Sequence, residues 1–177
     1  MNIANWITVF RMLSVPLFVS LILYVRLDAA LLVFAAAVVS DGVDGFMARV
    51  RHEKTRLGAI LDPVADKLLI VSAFVCLIFV KGLPAEFRPP PYVPILVISR
   101  DAILLIGSAL IYVIRGDIEV RPTTLGKATT FLQMMTVVSV LVQWRHAPML
   151  WNVMSGFTVL SGVDYVLRGA KLLSEKK

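Results

Sequence analysis

Residues 29–80 read AALLVFAAAVVSDGVDGFMARVRHEKTRLGAILDPVADKLLIVSAFVCLIFV, and this stretch decides the fold class. It contains two apolar runs separated by a short basic segment, and the acidic residues of both runs lie next to that segment. Each run has the roughly 20 mostly apolar residues that a helix needs to cross the hydrocarbon core of a bilayer. The stretch therefore predicts two membrane-spanning helices, at about 29–49 and 58–80, joined by a loop that reverses the chain.

The rest of the chain continues this pattern. Hydrophobic residues make up 58% of the 177 residues and charged residues 17%, whereas soluble domains are about half apolar and about a quarter charged. We predict one all-α integral membrane domain over residues 1–177, with six transmembrane helices and a short N-terminal interfacial segment. The four further spans are expected at about 7–25, 92–114, 128–144 and 148–168.

The basic residues of the loops are unevenly distributed. Most of them follow spans two and four or lie in the C-terminal tail, so the positive-inside rule places both termini in the cytoplasm. The formal net charge of +6 then indicates a face that meets anionic headgroups and phosphate-bearing substrates. Nucleic-acid binding is not expected, because these residues lie in short loops without a known binding motif.

Two pairs of aspartates face the basic loop. Asp41 and Asp44, three residues apart, lie near the end of span two, and Asp62 and Asp66, four residues apart, lie near the start of span three. Both spacings place the members of a pair on one helical face. Since the loop reverses the chain, we expect the two pairs to meet at similar depth, close to the cytoplasmic side.

Four clustered carboxylates require an explanation, because they repel one another and are costly within a membrane. Ion pairs with Arg11, Arg49 and Lys67 would account for one or two of them. A site made only of oxygen ligands accounts for all four and selects hard cations such as Mg²⁺, Mn²⁺ or Ca²⁺ over zinc. His52 and His146 are interpreted as loop residues.

The same segment resembles, at every signature position, the motif D-x2-D-G-x2-A-R-x8-G-x3-D-x3-D of the CDP-alcohol phosphotransferases. Eight specified positions within 26 residues leave little room for a chance match. The matching residues are Asp41, Asp44, Gly45, Ala48, Arg49, Gly58, Asp62 and Asp66.

The resemblance implies a membrane enzyme that transfers a phosphatidyl group from CDP-diacylglycerol to an alcohol and releases CMP. The four aspartates would bind two divalent metal ions, Mg²⁺ or Mn²⁺, which can bridge a diphosphate and offset its charge. Asp66 would also act as general base for the acceptor hydroxyl. It further implies a homodimer in a bacterial inner membrane, with its active site facing the cytoplasm.

The resemblance also assigns residues to the CDP moiety. Gly45, Ala48, Arg49 and Gly58 would line its site, and Arg49 offers a charge-assisted contact to phosphate oxygens. Asn5 and Thr8 form an Asn-x-x-Thr arrangement similar to that at the start of many members, which places them near the nucleotide.

The acceptor is indicated by residues outside the motif. Arg100 interrupts span four and Lys127 precedes span five. Arg100 either pairs with Asp101 or a motif aspartate, or joins Lys127 in holding the phosphate of an anionic acceptor. The stretch 61–67 and the Gly126-Lys127 dipeptide are similar to the corresponding residues of the family branch that uses glycerol 3-phosphate. We therefore expect glycerol 3-phosphate as the acceptor.

Other acceptors and another class of function remain open. Ser99-Arg100-Asp101 stands where many members of that branch have Gly-Arg-Glu, and it resembles the cardiolipin synthases, which use phosphatidylglycerol. Inositol phosphate and serine are further alternatives. A divalent-metal transporter would need polar groups through the whole membrane depth, whereas here the carboxylates cluster toward one face, so we favour the transferase.

Overall fold

The computed structural model describes residues 3–51, 56–80, 82–115 and 123–174 of the chain. Side chains are described for residues 10, 12–40, 67–80, 82–111, 113–114, 123–172 and 174. The described parts contain six α-helices, one short 3₁₀ segment at Ala85–Phe87 and no strand. The helices are α1 (Ile3–Leu23), α2 (Leu27–Arg51), α3 (Arg56–Phe79), α4 (Tyr92–Arg115), α5 (Thr124–Leu141) and α6 (Ala147–Ser174).

The predicted all-α class and the number of helices are confirmed. Helix α1 already begins at Ile3, inside the stretch that was predicted to lie along the interface, and α6 continues six residues beyond its predicted end at 168. Of the described residues, the segment Ala85–Ile111, which contains most of α4, is long and apolar enough to cross a membrane. Shorter apolar helical stretches are Met12–Leu23, Leu27–Ser40 and Lys67–Phe79.

The helices form a bundle in which α1 and α5 contact the same two neighbours. Helix α1 packs against α2 and α3, and α5 packs against α2, α3 and α6. Helix α4 packs against α3 and α6. Large apolar side chains fill the centre, among them Phe18, Phe34 and Phe74, and the rings of Phe18 and Phe34 lie 5.6 Å apart.

Tight turns join α1 to α2 and α5 to α6. Each contains one residue in the left-handed region, Val25 with φ 59° and Gln143 with φ 55°. The following amides close the helix ends, because Arg26 N donates to Leu21 O at 2.8 Å and Trp144 N donates to Ser139 O at 2.8 Å. These bonds match the six-to-one hydrogen bond of a Schellman motif.

The turn after α1 lies against the connection between α3 and α4. A Cβ atom on Gly82 would lie only 2.2 Å from Val25 Cγ1, so this close approach requires glycine. His146 lies in the turn before α6, as predicted, with its ring 5.3 Å from that of Trp144. His52 lies outside the described residues.

Candidate active site

The four motif aspartates lie on two helices that share their neighbours. Asp41 and Asp44 lie in the C-terminal half of α2, and Asp62 and Asp66 in the N-terminal half of α3. Since both segments are helical, the spacings of three and four place the members of each pair on one face. Both helices pack against α1 and α5, so the helices that carry the two acidic segments share the same two neighbours.

The structure does not describe these aspartate side chains, and their role in binding metal stays a prediction. The same holds for the residues predicted to bind CDP: the backbone of each is helical, but its side chain lies outside the described part. These residues are Asn5, Thr8, Gly45, Ala48, Arg49 and Gly58.

A cluster of charged side chains begins at the residue after Asp66. Lys67 Nζ donates to Asp101 Oδ1 at 2.7 Å, and Arg100 Nη1 donates to the same oxygen at 2.8 Å. Arg100 and Asp101 are 4% and 5% exposed, whereas the Lys67 side chain is 29% exposed. Two cations therefore share one carboxylate, and this group has a net charge of +1.

Arg100 is held from a third helix as well. Its Nη2 donates to Ser161 Oγ on α6 at 2.9 Å. The Nε of Arg100 and the Oδ2 of Asp101 are buried, and neither has a hydrogen-bond partner among the described side chains and backbone. The predicted pairing of Arg100 with Asp101 is thus confirmed, and it leaves part of the hydrogen-bonding capacity of both groups unused.

The first turn of α5 lies directly against Arg100. Thr123 caps this helix by accepting a hydrogen bond from Gly126 N at 3.0 Å. A Cβ atom on Gly126 would lie 3.2 Å from Arg100 Nη2 and 3.2 Å from Thr123 Oγ1. Glycine therefore lets the start of α5 approach the guanidinium, and helices α4, α5 and α6 converge on Arg100.

Lys127 follows Gly126 but has a different environment from Arg100. Its side chain is exposed, whereas Arg100 is buried. Neighbouring helical residues point about 100° apart, so Lys127 turns away from the face that carries Gly126. The structure thus brings the two predicted acceptor residues to adjoining helix turns, one in the interior and one at the surface.

Polar side chains continue from this point along the buried face of α5. The hydroxyls of Thr129 and Thr136 donate to backbone carbonyl oxygens one turn earlier, both at 2.8 Å. Gln133 lies between them and is 0% exposed, yet neither its Nε2 nor its Oε1 has a hydrogen-bond partner within the described part of the chain.

Comparison with known proteins agrees with the predicted family. The family model described as CDP-alcohol phosphatidyltransferase matches residues 1–163. The chain belongs to the CDP-alcohol phosphatidyltransferase family. The prediction made from the aspartate motif is confirmed, and the chain is assigned to a family of transferases.

Several bacterial members of this family are similar to the chain over different lengths. A protein of Aquifex aeolicus is 29% identical over 98% of this chain and 98% of its own length. One of Sodalis glossinidius is 34% identical over 82% of this chain and 78% of its own length. One of Escherichia coli K12 is 46% identical over 42% of each chain. All three are named CDP-diacylglycerol–glycerol-3-phosphate 3-phosphatidyltransferase.

The acidic segments of this phosphatidyltransferase suit the divalent ions that the family resemblance implies. Only carboxylates are available in the motif, and they are the ligands that Mg²⁺ and Mn²⁺ prefer. Among the described side chains, no group of three or more His, Cys, Asp or Glu residues forms a competing metal site.

Sequence reasoning missed one partner of Asp101, which is Lys67, and one partner of Arg100, which is Ser161. Lys67 was considered as a partner of the motif aspartates, but its described ion pair is with Asp101 on α4. A signal was present, because Lys67 directly follows Asp66 and so points about 100° away from it on the helix. Ser161 gave no signal, since a single serine in an apolar helix is unremarkable and lies 61 residues from Arg100.

Proposed function

We propose that this phosphatidyltransferase moves the phosphatidyl group of CDP-diacylglycerol to glycerol 3-phosphate, with release of CMP and formation of phosphatidylglycerophosphate. The observation that carries this proposal is the partly buried cluster of two cations and one carboxylate formed by Lys67, Arg100 and Asp101. Its first residue, Lys67, directly follows Asp66 in the chain, and the three described side chains together carry one positive charge in excess. The names of the bacterial relatives support the same acceptor.

The excess charge favours an anionic acceptor. A buried cation without a counter-ion is costly, and a phosphate dianion bound nearby would offset that cost. Arg100 retains an unpartnered Nε, and Lys67 uses one of its three N–H groups in the described ion pair. We therefore add Lys67 to Arg100 and Lys127 as a residue for the acceptor phosphate.

The start of α5 adds to this preference. The N-terminus of a helix carries a partial positive charge and unpaired N–H groups, which together favour anions. Here it lies against Arg100, because Gly126 allows the close approach. Lys127 lies on the same turn and would reach the phosphate from the exposed side.

On the other side of the reaction, we assign the CDP moiety to the motif. Asp41, Asp44, Asp62 and Asp66 would hold two Mg²⁺ or Mn²⁺ ions, which supply charge neutralisation to the diphosphate when bound. Arg49 would contact phosphate oxygens, and small residues would leave room for the nucleotide. The remaining residues assigned to CDP are Asn5, Thr8, Gly45, Ala48 and Gly58.

The chemical step follows from these assignments. The acceptor hydroxyl oxygen attacks the β-phosphorus of CDP-diacylglycerol, and its proton passes to the carboxylate of Asp66. The bond from this phosphorus to the bridging oxygen breaks, and CMP leaves with the bonding electron pair. Such transfers depend mainly on positioning and on electrostatic stabilisation, which the two acidic segments and the cation cluster would provide.

We propose that the six helices cross a bilayer, with both termini and the active site at the cytoplasmic face of a bacterial inner membrane. Large apolar side chains are exposed along the bundle, for example Ile95, Leu105 and Leu110 on α4 and Val159 and Leu167 on α6. Soluble monomers rarely expose apolar patches of more than a few hundred Å². A homodimer is proposed from the family resemblance.

An acceptor screen tests the proposed reaction. Purified protein in liposomes would receive CDP-diacylglycerol, Mg²⁺ or Mn²⁺ and one acceptor, and CMP release would be measured. We expect release with glycerol 3-phosphate, and less or none with phosphatidylglycerol, serine or inositol phosphate. No CMP with any acceptor would refute the transferase proposal.

Phosphatidylglycerol is the second candidate acceptor, because the triplet Ser99-Arg100-Asp101 resembles that of the cardiolipin synthases. If CMP were released with phosphatidylglycerol alone, phosphatidylglycerol would be the acceptor in place of glycerol 3-phosphate. The donor and the type of reaction would stay the same.

A further inference from the structure

Gln133 is a buried amide without a partner among the residues that the structure describes. It is 0% exposed, and neither its Nε2 nor its Oε1 has a hydrogen bond to any of them. Buried polar groups are almost always paired, and an unpaired one destabilises the fold. A methionine or leucine would fill a similar volume without that cost, so the amide needs a reason other than packing.

The neighbouring polar side chains do not share this property. Thr129 donates to Leu125 O and also to Phe157 O on α6, at 2.8 and 3.2 Å. Thr136 donates to Leu132 O at 2.8 Å. Both hydroxyls are therefore paired with backbone carbonyl oxygens, and the hydrogen bond from Thr129 to α6 does not involve Gln133.

The position of Gln133 connects it with the cation cluster. It lies seven residues after Gly126, which is two helical turns, so both residues occupy one face of α5 at an axial separation of about 10 Å. Side chains on a helix lean toward its N-terminus, which brings the amide to within about 5–7 Å of the level of Gly126. Gly126 is the residue that lies against Arg100.

The same helix also packs against the two helices that carry the acidic segments. Helix α5 packs against α2 and α3, which carry the four aspartates, as well as against α6. A small molecule with its phosphate at Arg100 and Lys67 and its reacting hydroxyl at Asp66 would therefore lie beside the buried face of α5.

We propose that Gln133 binds the secondary hydroxyl of the glycerol acceptor and makes the enzyme specific for it; this inference rests on the proposed function. A hydroxyl both donates and accepts a hydrogen bond, and the amide offers one group for each: Oε1 accepts from the O–H and Nε2 donates to the oxygen. A site built to pair with a substrate hydroxyl discriminates strongly against an analogue that lacks it.

The test compares two acceptors in three proteins. The acceptors are glycerol 3-phosphate and 1,3-propanediol monophosphate, which lacks the secondary hydroxyl, and CMP release gives kcat/KM for each. The proteins are the wild type, Gln133→Met and the matched control Thr136→Val, whose side chain is also buried on α5 but is paired with its own helix.

We expect the wild type to prefer glycerol 3-phosphate by about 10- to 100-fold. Gln133→Met should reduce this ratio to about one, through a loss with glycerol 3-phosphate and little change with the analogue. Its KM for CDP-diacylglycerol should stay unchanged. Thr136→Val should keep the wild-type ratio. An equal preference in the wild type, or an unchanged ratio in Gln133→Met, would overturn the inference.

Thermal unfolding without substrates gives a second readout. Gln133→Met removes an unpaired buried amide, so it should unfold at the same temperature as the wild type or higher. A variant that unfolds earlier or fails to fold would show a structural role for the amide and overturn the inference. If the wild type releases no CMP with glycerol 3-phosphate, both the proposed function and this inference are refuted. If the wild type turns over normally and Gln133→Met keeps the wild-type preference between the two acceptors, only this inference is refuted.

Discussion

Asp101→Asn removes the carboxylate that Lys67 and Arg100 share, and it should weaken both the fold and the reaction. Removing one partner from a buried ion pair costs about 3–5 kcal/mol, because the other charge remains buried. This range applies to Arg100, which is 4% exposed. Lys67 is more accessible and screened by solvent, so its share is at most about 1 kcal/mol.

An asparagine oxygen can still accept one hydrogen bond, and Arg100 keeps its bond to Ser161, so we expect a total loss of about 2–4 kcal/mol. For a chain of this size, that loss lowers the unfolding temperature by about 5–12 °C. The value of kcat should also fall, because Lys67 and Arg100 are no longer held together by one carboxylate.

The assay is thermal unfolding of purified wild type, Asp101→Asn and Asp101→Glu, each with and without inorganic phosphate. Since Asp101→Asn leaves two cations without their shared anion, phosphate should raise its unfolding temperature more than that of the wild type. Asp101→Glu keeps the charge and should recover most of the stability. An Asp101→Asn protein that is as stable as the wild type, or whose unfolding temperature rises no more with phosphate than that of the wild type, would refute this role of the shared carboxylate.

Two further predictions concern the helix contact at Arg100 and the metal ions. Gly126→Ala places a Cβ 3.2 Å from Arg100 Nη2. It should lower kcat/KM for glycerol 3-phosphate several-fold and leave the KM for CDP-diacylglycerol unchanged, both measured by steady-state CMP release. Gly156→Ala is the matched control, because a Cβ there meets no atom within 4 Å; an equal loss in both variants would contradict this role of Gly126. Chelation with EDTA should abolish CMP release and Mg²⁺ or Mn²⁺ should restore it, whereas turnover that persists in EDTA would count against the metal assignment.

The helices could be predicted because their signals are local, and the donor side of the proposed site, which stays a prediction, is read from equally local spacings. Apolar runs of sufficient length predict helices, and the spacing of Asp41, Asp44, Asp62 and Asp66 places each pair on one face within a few residues. The prediction missed the early start of α1, since Trp6 suits headgroup depth and so made the first residues read as a separate interfacial segment.

The bonds that tie Arg100 and Asp101 to other helices could not be predicted because they join distant parts of the chain. Its partner Asp101 is adjacent in sequence, so that pairing was one of the alternatives considered. Lys67 and Ser161 lie 34 residues before Asp101 and 61 residues after Arg100, and only tertiary packing brings them together. The lack of a described hydrogen-bond partner for Gln133 could not be predicted either. Several other polar residues lie near it in the sequence, and only the packed bundle decides which of them it meets.

The most direct test of the central claim is the transfer of radiolabelled glycerol 3-phosphate into lipid. Purified protein in liposomes would receive CDP-diacylglycerol, Mg²⁺ and labelled glycerol 3-phosphate, with Asp66→Asn as the inactive control. We predict that labelled phosphatidylglycerophosphate forms in equal amount to the CMP released, and that Asp66→Asn forms neither product. CMP release without label in the lipid, or equal labelling by Asp66→Asn, would contradict the account.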